Sequence, residues 1–153
     1  VSVERVTFPA LAAEGALYAL ADDAYWLDTG TPQAYLQAHT DVLNGSRTLA
    51  LSPDVAQENW IHPTASVSPS ATLTNAVIDA GVIVGDHAVL RNVVVMPHAI
   101  VGPQAHIEDS IVGPAAALGE GVRLGATCVI GHGVSVPARS QLSGDVRLGG
   151  PAV

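Results

Sequence analysis

The sequence predicts a mainly β fold, a parallel β-solenoid over residues 61–153 preceded by a short α/β segment, and two periodic patterns carry that prediction. From Ile61 to Leu148 an aliphatic residue recurs about every six positions. The series is Ile61, Val67, Leu73, Ile78, Val84, Leu90, Met96, Val101, Ile107, Val112, Leu118, Leu124, Ile130, Val136, Leu142 and Leu148, with three steps shortened to five. Four positions after most of these stands a small or β-branched residue: Ala65, Ala71, Val77, Val82, Ala88, Val94, Ala105, Ala116, Val122, Cys128, Val134, Ser140 and Val146. A helix needs apolar residues at intervals of three and four, and a half-buried strand needs sustained alternation, so neither template fits. Two inward residues per six imply short strands and tight corners. Glycine directly follows the aliphatic at Gly85, Gly102, Gly113, Gly119, Gly125, Gly131 and Gly149, where its backbone freedom suits a corner. Three such faces make a coil of about 18 residues, so the stretch supplies roughly five coils, each burying its inner face only against its neighbours.

Residues 1–45 lack this rhythm. Ser2 can cap a helix from Val3 to about Glu14, with Val6, Leu11 and Ala12 inward and Gly15 as the stop. Pro9 inside that span leaves a kink or two short helices equally open. Leu17–Ala21 and Tyr25–Asp28 read as two short strands about the turn residues Asp22 and Asp23. Thr31 before Pro32 is a helix start; Tyr35, Leu36, Val42 and Leu43 form its apolar face, and Asn44-Gly45 ends it. Residues 46–60 read as a linker. Forty-five residues are too few for an independent core, so the expectation is that Val1 cuts through a domain and that the chain is part of a longer one.

Composition narrows the function classes. The net charge is −8 and all six cations are scattered arginines, which gives no basic stripe for nucleic acid and no patch for an anionic bilayer. No apolar run is long enough to span a membrane and no signal pattern opens the chain, so a cytoplasmic protein is expected. The lone Cys128 occupies a small inward slot and reads as packing.

The string Tyr25-Trp26-Leu27-Asp28-Thr29-Gly30-Thr31-Pro32 resembles the closing motif of the sugar-nucleotide pyrophosphorylases, which join a sugar 1-phosphate to a nucleoside triphosphate. Ser2-Val3-Glu4-Arg5, Phe8-Pro9, Glu14-Gly15 and Tyr35-Leu36-Gln37-Ala38 fit the same family, and the nearest branch is the mannose-1-phosphate guanylyltransferases. Their chains also end in a hexapeptide β-helix. The likeness implies a left-handed parallel β-helix, with residues 1–45 as the remnant of a nucleotidyltransferase domain. It implies a nucleoside triphosphate and a sugar 1-phosphate as substrates of the intact enzyme, GDP-mannose as product, and thymidylyl, uridylyl and adenylyl relatives left open. By the same resemblance Asp28 is a ligand of Mg²⁺, Gly30 and Thr31 shape the nearby wall, and the β-helix joins copies into a homo-oligomer. The glycine-rich nucleotide loop and the lysine-bearing sugar-phosphate motif do not occur in this sequence, so no catalytic residue is assigned and the chain alone is expected to be inactive.

Competing readings rest on the histidines. His62, His87, His98, His106 and His132 all avoid the inward slots; His98 and His132 share an offset two coils apart, roughly 9.6 Å, too far for one metal ion. A hexapeptide acyltransferase is the enzyme alternative, and it commonly carries a loop excursion that this solenoid lacks. A non-catalytic scaffold is the other. Glu4 reads as a solvated carboxylate.

Overall fold

The structure is a computed structural model and describes residues 2–47, 57–125 and 127–149. Most of the expected 46–60 linker lies outside the described residues. Residues 60–125 and 127–149 form a parallel β-solenoid of about five turns, the mainly β architecture expected, and it is consistent with a left-handed β-helix.

Among the described residues thirteen short strands build it: β1 Trp60–Ile61, β2 Ser66–Val67, β3 Thr72–Ile78, β4 Ile83–Val84, β5 Val89–Val95, β6 Ile100–Val101, β7 His106–Val112, β8 Ala117–Leu118, β9 Arg123–Gly125, β10 Val129–Ile130, β11 Ser135–Val136, β12 Gln141–Ser143 and β13 Arg147–Leu148. One sheet has the order β11-β8-β6-β4-β2; the other runs β1-β3-β5-β7-β10-β13, with β9 and β12 beside it. Residues equivalent in successive coils stack directly, as in Leu73, Leu90, Ile107, Leu124 and Leu142. These inner columns form one continuous core in which Leu90, Ile107, Val112 and Ile130 are fully buried. Val67, Leu73, Leu142 and Leu148 are only partly buried at the two ends of the stack, and Ile61, expected inside, is exposed in the first coil.

The register corrects one row of the sequence reading. Ile78 pairs with Val95 and Val95 with Val112, so the inward residue is the fully buried Val95, not Met96. All three five-residue steps therefore fall at the same corner. Partners are 17 residues apart from Leu73 to Leu124 and 18 apart from Leu124 to Leu142. The omitted residue is absorbed where β3, β5 and β7 bend without a break, at Asn75, Asn92 and Asp109, with φ of +51°, +50° and +44°. Asn and Asp enter the left-handed region more readily than other side chains. When the coil regains its residue after Leu124, the long strand splits into β9 and β10.

Losing one residue moves every following side chain to the opposite face. Val77 and Val94, expected inward, point out; Ala76, Val93 and Ser110 are buried inside instead. The Ser110 hydroxyl donates to the Glu108 carbonyl at 2.6 Å, so the one buried polar side chain among the described residues has its partner.

Glycine also acts differently from expectation. Gly85, Gly102, Gly113 and Gly119 do not adopt positive φ; the coils simply leave no room for a side chain there. A Cβ on Gly102 would stand 2.6 Å from the Gly119 carbonyl carbon and 2.7 Å from the Glu120 nitrogen, both backbone atoms. Gly102→Ala is therefore expected to cost about 1–3 kcal/mol as overpacking. Gly125→Ala, which meets nothing within 4 Å, should change stability by less than about 0.5 kcal/mol. Paired urea titrations of the two variants check this, and equal midpoints would contradict the close approach.

The N-terminal segment forms a π-helical turn Val3–Thr7, capped by the Ser2 hydroxyl accepting from the Arg5 amide at 3.2 Å, and then helix α1 Phe8–Ala13. This is the two-helix alternative that Pro9 left open. No residue of either helix is buried, including Val6, Leu11 and Ala12. Leu17–Ala21 and Tyr25–Asp28 form no strands: a strand needs a partner, and among the described residues neither segment has one. Tyr18, Leu20 and Trp26 are 89%, 95% and 82% exposed. Helix α2, Pro32–Leu43, begins as expected with the Thr31 hydroxyl accepting from Ala34 N at 3.2 Å. It packs on β3, β5 and β7, where buried Leu36 meets the outward Val94 and Ile111, with Tyr35, Val77, Met96 and Val129 at the margin.

Candidate functional site

The Asp28 turn stands just before α2. Asp28 is exposed and its Oδ1 accepts the Gly30 amide at 3.0 Å; a Cβ on Gly30 would lie 3.2 Å from that same oxygen. Gly30 thus lets the carboxylate fold over its own backbone, and Thr31 serves as the helix cap. One carboxylate oxygen remains free of protein partners among the described residues. That arrangement suits a hard cation held by one carboxylate together with substrate phosphates and water, the way Mg²⁺ is commonly bound. Among the described residues no three His, Cys, Asp or Glu side chains gather within reach of one ion.

Two sets of contacts tie this turn to the rest of the molecule. The Tyr25 hydroxyl donates to Asp41 Oδ2, whose other oxygen accepts from Gln37 Nε2 at 2.7 Å, so the segment entering the turn is pinned to α2. That hydrogen bond raises the Tyr25 phenol above its ordinary value, with desolvation and the Asp41 charge adding to it and Arg47 opposing. The Arg47 guanidinium lies 5.1 Å from the centre of the Tyr25 ring. Tyr25, Trp26, Leu27, Ala38, Val42 and Arg47 line an open hollow of about 320 Å³.

Helix α2 is in turn bonded to the solenoid. Asn75 Nδ2 donates to Thr40 Oγ1 at 2.7 Å and to Asn92 Oδ1 at 2.9 Å, and Asn92 Nδ2 donates to Asp109 Oδ1 at 2.6 Å. Thr40 Oγ1 lies 3.2 Å from both the Leu36 carbonyl and Asn92 Oδ1, which share its single proton. The corner residues that shorten the coil are thus the ones that receive the helix. Beside them, Tyr35 stacks obliquely on His39 with centroids 4.5 Å apart, and burial followed by the Asp79 charge raises its phenol pKa. Sequence reasoning missed this junction. Its signal was present, however: Asn, Asn and Asp at 17-residue spacing, each inside a five-residue step.

The solenoid histidines stay outside the core. His87 and His98 are left-handed corner residues, with φ of +56° and +61°. His98 does not share an offset with His132, because Ala115 N bonds the Pro97 carbonyl and Gly133 N bonds the Pro114 carbonyl, which stacks His98 on Ala115 and Gly133. Two grooves lie beside these histidines among the described residues: one of about 490 Å³ includes His87, Gln104, Arg139 and Glu120, and one of about 300 Å³ includes Glu108, Ser143 and the apolar Leu124 and Leu142. His106, Arg123 and Gln141 belong to both. No described helix is long and apolar enough to cross a membrane.

Three comparisons bear on this architecture. The sequence matches the GMPPB C-terminal domain family over residues 55–148. It is 38% identical over 91 residues to mannose-1-phosphate guanylyltransferase of Mycobacterium tuberculosis, a match covering 56% of this chain and 24% of the relative. The match therefore spans about a quarter of that relative's length. Among solved structures, perosamine N-acetyltransferase from Caulobacter crescentus, with CoA and GDP-perosamine, matches at 28% identity and a TM-score of 0.43, covering 58% of this chain and 50% of that one. The acetyltransferase domain of PglB from Neisseria gonorrhoeae, with acetyl coenzyme A, matches at 23% identity and a TM-score of 0.45, covering 92% and 88%.

Proposed function

Because the chain belongs to the GMPPB C-terminal domain family, we propose that it is the solenoid-bearing part of a cytoplasmic sugar-1-phosphate nucleotidyltransferase that makes GDP-mannose from mannose 1-phosphate and GTP, releasing pyrophosphate. The similarity to the mycobacterial guanylyltransferase across the solenoid carries this reading. The Tyr25–Pro32 string supports it independently, since it lies before the matched residues.

In this reading the solenoid is the assembly and regulatory module, joining copies into a homo-oligomer, and the catalytic residues lie elsewhere in the enzyme. Mg²⁺ bound at the reaction centre would offset the charge that builds up as the sugar phosphate displaces pyrophosphate. Asp28 would hold one of its positions, while Gly30 keeps the carboxylate folded over the turn and Thr31 begins the helix that anchors it. Docking of α2 on β3, β5 and β7 supports a role in which the solenoid steadies that turn.

The experiment compares this chain with the full-length enzyme containing it. Pyrophosphate release from mannose 1-phosphate should be fastest with GTP in the full-length enzyme and absent in the chain alone. Removing the residues after Asn59 from that enzyme should lower the number of copies per particle in light scattering, beyond the mass of the residues removed. Failure to release pyrophosphate with any nucleoside triphosphate would remove the enzyme reading, and an unchanged number of copies per particle would remove the assembly role.

A further inference from the structure

We propose that the outer groove around Arg123 binds the phosphate groups of a small phosphorylated metabolite. Three of the four solenoid arginines have a carboxylate at hand: Arg91 with Glu108 at 3.5 Å, Arg139 with Glu120 at 4.0 Å and Arg147 with Asp145 at 3.4 Å. Arg123 has none within 4.0 Å among the described residues, and the two carboxylates lining its grooves, Glu108 and Glu120, are the ones already matched. Arg5 and Arg47 also lack a carboxylate within 4.0 Å among the described residues, but both precede the solenoid, where Arg123 is the unmatched guanidinium.

Its setting favours an anion. Strand register places His106 of β7 on one side of Arg123 and Gln141 of β12 on the other, at the strand spacing of about 4.8 Å. His106 Nδ1 donates to the Gln104 carbonyl at 3.1 Å, which fixes the ring; Nε2 then accepts from a protonated phosphate oxygen, or donates to an anionic one in the imidazolium form. An imidazole, a guanidinium and a carboxamide thus form a row of polar side chains across adjacent strands. This row sits where the two grooves of about 490 and 300 Å³ meet, and Arg139 stands at the corner of the larger one. Guanidinium matches phosphate oxygens through paired N–H groups, and Arg139, lining the larger groove, offers a diphosphate a second guanidinium. The site is remote in sequence from the Asp28 turn and does not depend on the guanylyltransferase reading.

The test titrates inorganic pyrophosphate, inorganic phosphate and sulfate into the full chain while arginine Nε–H and histidine ring resonances are followed by NMR. Saturable shifts at Arg123 and His106 are expected, tightest for pyrophosphate. Arg123→Gln should weaken pyrophosphate binding about tenfold or more, the loss of a charge-assisted contact. Arg147→Gln, outside the grooves, should leave it unchanged. Arg123 is exposed, so its variant is expected to melt with the parent chain, and melting curves verify that. Equal affinity in Arg123→Gln overturns the proposal. So does the absence of saturation at millimolar pyrophosphate, and so do uniform shifts across all arginines, which would report only a diffuse counterion atmosphere.

Discussion

Leu124→Asp is expected to unfold the C-terminal half of the solenoid. Leu124 is buried between Ile107 and Leu142 in the column that runs the length of the core, so the substitution removes an apolar side chain and puts a carboxyl group in its place. Truncating a buried leucine alone costs about 2–5 kcal/mol, and a buried carboxylate without a partner adds several more. Single domains have only about 5–15 kcal/mol in total. Each coil is stable only through its neighbours, so the damage should spread to both. Hydrogen exchange should therefore show protection lost together in β7, β9 and β12. The neighbouring Arg123→Asp, on the outward face of the same strand, should shift the melting midpoint little. Similar losses at the two positions would mean that the inward and outward faces of β9 have been exchanged.

How far the sequence foretold this structure depends on the kind of interaction involved. The solenoid was legible because its cause repeats: an aliphatic residue at every third of a coil leaves a period that few other folds share. The row at Met96 misled because a chain can drop a residue at one corner, and counting by sixes cannot say which side of the drop is inward. Only the ladder register, with Val95 between Ile78 and Val112, decides it. The same ambiguity hid the docking face, since Val77 and Val94 fit an inward slot until the shortened corner turns them toward α2. The glycines were placed correctly and explained wrongly, because close approach between coils is a tertiary fact that no local backbone preference encodes.

The N-terminal segment failed in another way. Leu17–Ala21 and Tyr25–Asp28 have strand composition, yet strand formation depends on a partner outside the segment. Helix α2 needs none for its start or stop, and Thr31, Pro32 and Gly45 marked both ends. The turn at Asp28 was found through a resemblance, and local chemistry then accounts for its shape: Asp28 accepts the amide two residues on, as Asp commonly does in turns. Thr40, by contrast, looked like any polar helix residue. Its partners Asn75 and Asn92 are 35 and 52 residues away, so its role as the joint between α2 and the solenoid exists only after folding.

Asp28→Asn is expected to separate the metal role of that turn from its architecture. An asparagine Oδ1 can still accept the Gly30 amide that Asp28 accepts at 3.0 Å, so the turn, the Thr31 cap and the docking of α2 should all persist. What the substitution removes is one negative charge on an exposed carboxylate. If that carboxylate belongs to the Mg²⁺ site of the guanylyltransferase proposed above, the lost contact should cost about 2.7–4 kcal/mol at the transition state, or roughly a hundred- to thousandfold in kcat. Pyrophosphate release by the full-length enzyme, measured over a Mg²⁺ series, reads the activity. Mn²⁺-induced broadening of the Gly30 amide signal reads the ion directly, without turnover. Both should fall in the variant while its melting temperature stays with the parent. A variant with parental turnover and undiminished broadening would leave Asp28 as a turn residue whose carboxylate serves only to fold the chain into Thr31.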